Sequence, residues 1–329
     1  MEKIKIIFFI LLLTIIFAFV YFIFLKQNSE NTYKIKTLEQ KLIQSRQSLT
    51  TPNVELPDSI FVLSDTLIKR QDPLMFERIR FEILNYLYNK PGWIIHWLEN
   101  KYLIDQLRFI LVQNNIHPDF CYLRAVESNV IFDEQSPAGA KGIDQFMTYT
   151  ATSFGLKISY SEGIDERFNP YKSGLAVAKY IQTLQKTYSQ NFFILAGYNM
   201  SSKLKEIIQK SNGSHFFHLR RINGETYDYV PRLIAVKYII ENHTQLGFNN
   251  IKYHVPQPYQ IIWIKSSHNI LLRDLAQNID MSLNQLYLLN PELIYNTIPA
   301  GYKYDFKIPP EKKEKTLLFL KKNKVTILN

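Results

Sequence analysis

The stretch CYLRAVESNVIFDEQSPAGAKGIDQF, residues 121–146, constrains this chain more than any other. A mostly apolar run ends in a carboxylate, Glu127, followed at once by Ser128. Further on comes SPAGAKG, a tight turn of small residues starting at Ser136. His117-Pro118 suits a helix start, because proline is tolerated at the first helical position. Phe120, Leu123 and Glu127 then fall on one side, since positions three and four apart share a face. The spacing sets Glu127 on the apolar stripe. A carboxyl group there is poorly solvated, and desolvation favours its neutral form. Such an acid holds a proton near neutral pH and can donate it to a leaving oxygen, as glycoside cleavage requires. The plain alternative is a glutamate at the rim of an apolar helix, facing solvent. Asp133 and Glu134 read as solvated loop charges, so no second acid has an evident partnering role.

The N-terminus bears on compartment. MEKIKIIFFILLLTIIFAFVYFIFLKQ holds an uncharged run from Ile6 to Leu25, about the length a helix needs to span a bilayer. A removable signal has a shorter apolar core and a small-residue cleavage site, whereas Ala18 is ringed by Phe and Val. We expect an uncleaved signal anchor over 1–26 that leaves the large domain after it outside the cytoplasm, in the periplasm or cell envelope; a cleaved signal is the alternative. Lys3 and Lys5 face Lys26, Lys34 and Lys36 across the span, so the charge rule orients it weakly. The single cysteine, Cys121, excludes an internal disulfide and a lipid anchor at the end of the run. The formal net charge of +10 suits an anionic surface: nucleic acid, phospholipid or acidic wall polymer. Beside a membrane span, nucleic acid is not expected as a partner. The seven histidines are scattered, without an H-x-x-x-H pattern, and neither metal nor cofactor is implied.

Residues 27–69 read as a polar spacer, with Pro52 and Pro57 in it. The region 70–248 is expected to be mainly α. FERIRFEILNYLYN puts Phe76, Ile79, Ile83, Leu84 and Leu87 at helical spacing. WIIHWLENKYLIDQLRFILVQNN reads as one or two helices, and AVAKYIQTLQKTY and RLIAVKYIIENH as one each. Asn89-Lys90-Pro91-Gly92, Asn212-Gly213 and Asn223-Gly224 are turn signals. Residues 245–260 read as a linker. Beyond it, YQIIWIK, LLRDLAQNI, LNQLYLLN and YKYDFKI spell strand, helix, helix, strand, a small α+β (βααβ) module over 259–310. The basic tail 311–329 is expected to be solvated.

The 121–146 stretch resembles the catalytic region of lytic transglycosylases with a goose-lysozyme-like (SLT) fold, most closely the membrane-bound type D group. The matching residues are Glu127-Ser128, Ser136-Pro137-Ala138-Gly139 and Gly142-Ile143-Asp144-Gln145-Phe146-Met147. DERFNPYKS (165–173), LAGYN (195–199) and ETYDYVPRLIA (225–235) resemble the family's later landmarks in order. The resemblance covers roughly 70–250. It implies that Glu127 protonates the oxygen between N-acetylmuramic acid and N-acetylglucosamine, then acts as base on the muramic acid 6-hydroxyl, closing a 1,6-anhydro ring. It further implies that Ser128 orients the acid or substrate, that Gln145 and Met147 bind sugar, that Tyr198 and Asn199 hold the acid and line the cleft, and that Tyr229 lies across it near Glu127. For the tyrosines an ordinary core role is the alternative. Asp144 departs from the family's Trp or Met; it either raises the pKa of Glu127 by like charge or faces solvent. Val130, Ile131 and Phe132 replace Phe-Asn-Pro, and NMSSKLKE lacks the glycines usual after Tyr-Asn.

Residues 259–310 resemble a LysM domain, a fold that binds peptidoglycan and chitin, although KSSHNIL stands where Gly-Asp-Thr is usual. A retained LysM function implies a second attachment to glycan strands; a lost groove leaves a structural appendage. Two rivals to a transglycosylase remain: a lysozyme-type hydrolase of the same fold, and a non-catalytic wall-binding protein.

Overall fold

The computed structural model describes residues 57, 59–62, 66–69, 73–200, 203–211, 216 and 224–328. The expected anchor, most of the spacer and the Asn212-Gly213 turn lie outside these. Among the described residues no helix is long and apolar enough to cross a membrane. The end of the spacer is more ordered than its composition suggests: β1 (Ser59–Val62) and β2 (Thr66–Lys69) form an antiparallel hairpin in register Ser59 to Lys69.

The helical domain begins with α1 (Pro73–Asn89), which buries Phe76, Ile79, Ile83 and Tyr86 at helical spacing. Asn89 ends it, and Pro91 opens α2 (Pro91–Glu99). The next pattern resolves into two helices because the chain breaks at Asn100, whose side-chain amide donates to the His96 carbonyl; α3 (Lys101–Gln113) follows. The expected single helix from His117 is instead a 3-10 turn over Pro118–Tyr122 running into a six-residue α4 (Leu123–Ser128). Then come α5 (Thr148–Ser153), a two-residue hairpin of β3 (Ile158–Ser159) and β4 (Ile164–Asp165), α6 (Pro170–Gln185), α7 (Asn191–Met200) and α8 (Lys203–Ser211). The domain closes with α9 (Gly224–Glu241), whose buried residues Tyr229, Val230, Leu233, Ile234, Val236, Ile239 and Ile240 face several neighbouring helices. Helix α9 packs along α1 and against α4 and α7. Each such fully buried aliphatic contributes about 1.5–3 kcal/mol, so α9 is the domain's main organiser.

The C-terminal module carries β5 (Gln260–Lys265), β6 (Ile270–Leu271), α10 (Leu272–Asn278), α11 (Leu283–Leu289), β7 (Thr297–Ile298) and β8 (Lys303–Ile308). The capping box of Ser282 and Gln285 starts α11. Strands β5 and β8 pair antiparallel. The tail corrects the sequence reading. It folds into α12 (Lys313–Lys322) and β9 (Thr326–Leu328), and β9 adds to the free edge of β5 in the order β8-β5-β9. Phe319, Leu320 and Val325 enter the module's core; lysines dominate the composition of this segment but leave one apolar face to bury.

The module is also not a bead on a linker. Ile164 of the helical domain is fully buried in the module's core. Around it the Asp165 amide donates to the Glu292 carbonyl and the Ile294 amide to the Gly163 carbonyl, both at 2.9 Å. Lys172 bridges Glu166 of its own domain at 2.9 Å and Asp305 of the module at 2.6 Å.

Candidate active site

Glu127 is the penultimate residue of α4. The helix stops there because Asn129 and Val130 both adopt left-handed backbone, φ 54° and 66°. A β-branched valine in that region is strained. The buried Val130 side chain and its amide bond to the Arg124 carbonyl at 3.0 Å hold it there. This tight reversal sends the chain back over the end of α4, so that residues 136–147 lie against it.

Two fully buried arginines shape that segment. Arg167, just beyond β4, donates to the carbonyls of Phe146 at 3.1 Å and Gly139 at 3.3 Å, and pairs with Asp165 at 2.7 Å. Arg124, on α4, grips both carboxylate oxygens of Asp144, at 2.9 and 3.1 Å. Gly142 turns between them at φ 79°, and a Cβ there would lie 1.9 Å from the Arg167 carbonyl oxygen. Within SPAGAKG it is Gly142 that close backbone approach requires.

Glu127 itself is partly buried. The Tyr229 hydroxyl, from α9, donates to its Oε1 at 2.5 Å. Burial pushes the carboxyl up to about 7; the Tyr229 hydrogen bond opposes this, and the negative charges of Asp144 and Glu225 add to it. The expectation of a desolvated acid on the apolar side of a helix thus has its counterpart in the fold. Asp144 does not face solvent: it is 1% exposed and paired, and its charge acts on Glu127 from within.

The other expected residues divide by what they touch. Tyr198 donates to the Asp144 backbone carbonyl at 3.0 Å and packs its ring 5.1 Å from that of Tyr180. Asn199 accepts from the buried Thr226 hydroxyl at 2.6 Å, which ties α7 to α9. Gln145, at φ 51°, donates from its amide to the carbonyls of Gly142 and Glu134, closing the loop. Met147 is 46% exposed, just before α5. Ser128, expected to orient the acid or substrate, is 2% exposed, and its hydroxyl lies 2.8 Å from the Ile143 carbonyl and 3.1 Å from that of Arg124, so it has no surface to offer a sugar. Its place is between α4 and the loop. Asp133 is exposed, whereas Glu134 is half-buried and offers its backbone carbonyl to Gly142. Arg124 was missed; a lone cation inside an apolar run, one turn before Glu127, was its signal. Among the described residues no His, Cys, Asp or Glu cluster could hold a metal ion.

Two family models match parts of the chain. Residues 111–215, which contain Glu127, match the family model of the transglycosylase SLT domain. Residues 261–322 match that of the lytic transglycosylase MltD LysM-like domain, which takes in the whole tail helix α12. No curated protein sequence matches the chain. Among solved structures, an inactive mutant of the lytic transglycosylase Slt from Pseudomonas aeruginosa aligns at 16% identity and a TM-score of 0.34, over 46% of this chain. The chain spans 25% of the length of that protein. The two family matches, in this order along one chain, make it MltD-like: an SLT transglycosylase domain followed by an MltD-type LysM-like domain.

Proposed function

We propose that the protein is a peptidoglycan lytic transglycosylase that cleaves the bond between N-acetylmuramic acid and N-acetylglucosamine and leaves a 1,6-anhydro end. The observation that carries this is one desolvated carboxyl, Glu127, with a pKa of about 7, held by Tyr229. The Tyr229 hydroxyl occupies Oε1, so the carboxylic proton sits on the other oxygen. From there it passes to the glycosidic oxygen as the bond to the muramic C1 breaks. The resulting carboxylate takes the proton of the 6-hydroxyl as that oxygen bonds to C1. One group gives and regains one proton, and no water is consumed. A group near pH 7 suits both halves, because it is neither a weak donor nor a weak acceptor. The nearby Asp144 is committed to Arg124, which supports a single-carboxylate mechanism over a two-carboxylate hydrolysis. Met147 and the half-buried Tyr198 and Asn199 would meet the sugars, with Gln145 and Ser128 shaping the loop behind. An anchored, envelope-facing chain fits this substrate.

The test is to incubate the full-length chain with purified peptidoglycan and weigh the released muropeptides. Products one water lighter than lysozyme fragments, absent with Glu127→Gln, are expected. Full-mass reducing ends would indicate a hydrolase. Pelleting with the wall without release would indicate a binding protein.

A further inference from the structure

We infer that Arg124 and Asp144 form a buried positioning pair for Glu127, fixing its short helix against the 136–147 loop and setting the charge it experiences. The inference rests on the reading of Glu127 as the acid. Arg124 lies one turn before Glu127 on α4, and both partners are sealed from solvent. The guanidinium does more than neutralise a carboxylate. It also donates to the Leu103 carbonyl at 2.6 Å, to the Gln106 side chain at 3.3 Å and to the Pro170 carbonyl. Four separate segments, α3, α4, the loop and the start of α6, thus meet on one side chain. A six-residue helix has little stability of its own, so such a bolt decides where Glu127 points. Bidentate contact fixes direction as well as distance.

The charges are arranged unevenly about the acid. From the loop Glu127 faces Asp144, from α9 Glu225 and Tyr229, and Tyr198 on α7 and Tyr180 on α6 face it in turn. The three tyrosine hydroxyls are pushed up by burial and stay neutral. The buried ionic neighbour of Glu127 is therefore Asp144. Arg124 supplies that carboxylate with a two-pronged partner inside the protein, and a buried charge needs such a partner.

Two variants test this in the full-length chain. Asp144→Asn removes the negative neighbour and leaves the cation uncompensated, so Glu127 ionises more readily. Its carboxyl titration, followed by 13C NMR on glutamate-labelled protein and assigned by comparison with Glu127→Gln, is expected to move down by half a pH unit or more, about a threefold change in proton affinity. The high-pH limb of glycan cleavage is expected to move with it. Arg124→Lys keeps the charge but loses the fork; kcat is expected to fall about tenfold with KM unchanged. A titration unmoved in Asp144→Asn, or a wild-type kcat in Arg124→Lys, would overturn the inference. The titration does not depend on turnover, so it decides even where no glycan is cleaved, which would sink the proposed function alone. If Asp144→Asn fails to fold, Arg124→Lys carries the decision.

Discussion

The Tyr229 hydroxyl and Glu127 Oε1 are 2.5 Å apart, although 101 residues separate them in the chain and they lie on different helices. The contact requires α9 to lie across the end of α4, and the buried face of α9 puts it there. A donor aimed at a carboxylate stabilises the charged form. Removing it in Tyr229→Phe raises the Glu127 pKa above its value of about 7, so the high-pH limb of activity moves upward. The carboxyl also loses its orientation. A hydrogen bond to a charged group is worth about 1.5–3 kcal/mol, which predicts a roughly tenfold to hundredfold lower kcat. A pH-rate series on both proteins checks this; a limb moving downward would contradict it.

Glu127 also costs stability. Its pKa stands at about 7 in the fold against an ordinary 4.5. Between these values the folded chain binds more protons than the unfolded chain, so stability falls as pH rises. The loss begins near pH 4.5 and is complete above about 7; at about 1.4 kcal/mol per unit it totals roughly 3 kcal/mol. Glu127→Gln keeps the neutral shape without the ionisation. Its melting temperature is expected to match wild type near pH 4.5, then to exceed it progressively up to pH 7 and by a constant margin beyond, while catalysis is lost. Thermal melts across pH measure this directly. A constant offset at every pH would mean that Glu127 is not desolvated.

The two glycines of the small-residue turn differ. Both have positive φ, 93° at Gly139 and 79° at Gly142. A Cβ at Gly139 meets nothing within 4 Å, whereas one at Gly142 meets backbone at 1.9 Å. Gly139→Ala should cost only the left-handed backbone, about 1–2 kcal/mol, and retain activity. Gly142→Ala must displace Arg167 and the loop it holds, and is expected to cost over about 4 kcal/mol or to prevent folding. Denaturant melts of the two variants make the comparison.

The sequence made the helices and the acid legible for one reason. Apolar periodicity reports which face is buried, and a carboxylate out of place on that face is conspicuous. Glu127, Ser128 and Gln145 were found this way and through motif order. What the motif could not report was direction. Ser128 and Gln145 carry polar groups that suit sugars, yet both are turned to backbone carbonyls. The Arg124–Asp144 pair was missed because its halves lie 20 positions apart and each looks surface-bound alone. The tail was misread because six lysines between Lys312 and Lys324 mask Phe319 and Leu320 on the opposite face. The strand β9 pairs with β5, some sixty residues earlier, and such non-local pairing leaves no local signature.

The junction between the two domains yields the last prediction. Ile164 is buried in the module's core, and Lys172 joins Glu166 to Asp305 while standing 3.7 Å from Glu292. Those three carboxylates hold the Lys172 ammonium pKa well above its ordinary range despite burial. The Asn169 amide adds a bond to Glu292 at 2.9 Å. Lys172→Met leaves Glu166 and Asp305 without their cation, while Glu292 keeps Lys307 at 3.2 Å; in buried pairs such a loss reaches about 3–5 kcal/mol. Partial exposure of Lys172 argues for the lower end. Because the same residues serve both domains, the wild type is expected to melt in one transition and the variant in one transition several degrees lower. Calorimetry distinguishes this from the alternative. If the module were an independent appendage, two transitions would be seen, and Lys172→Met would move neither by more than a degree or so. A single shared transition would mean that the LysM-like module braces the catalytic domain, so that deleting it lowers the stability of the Glu127 site whether or not it binds sugar.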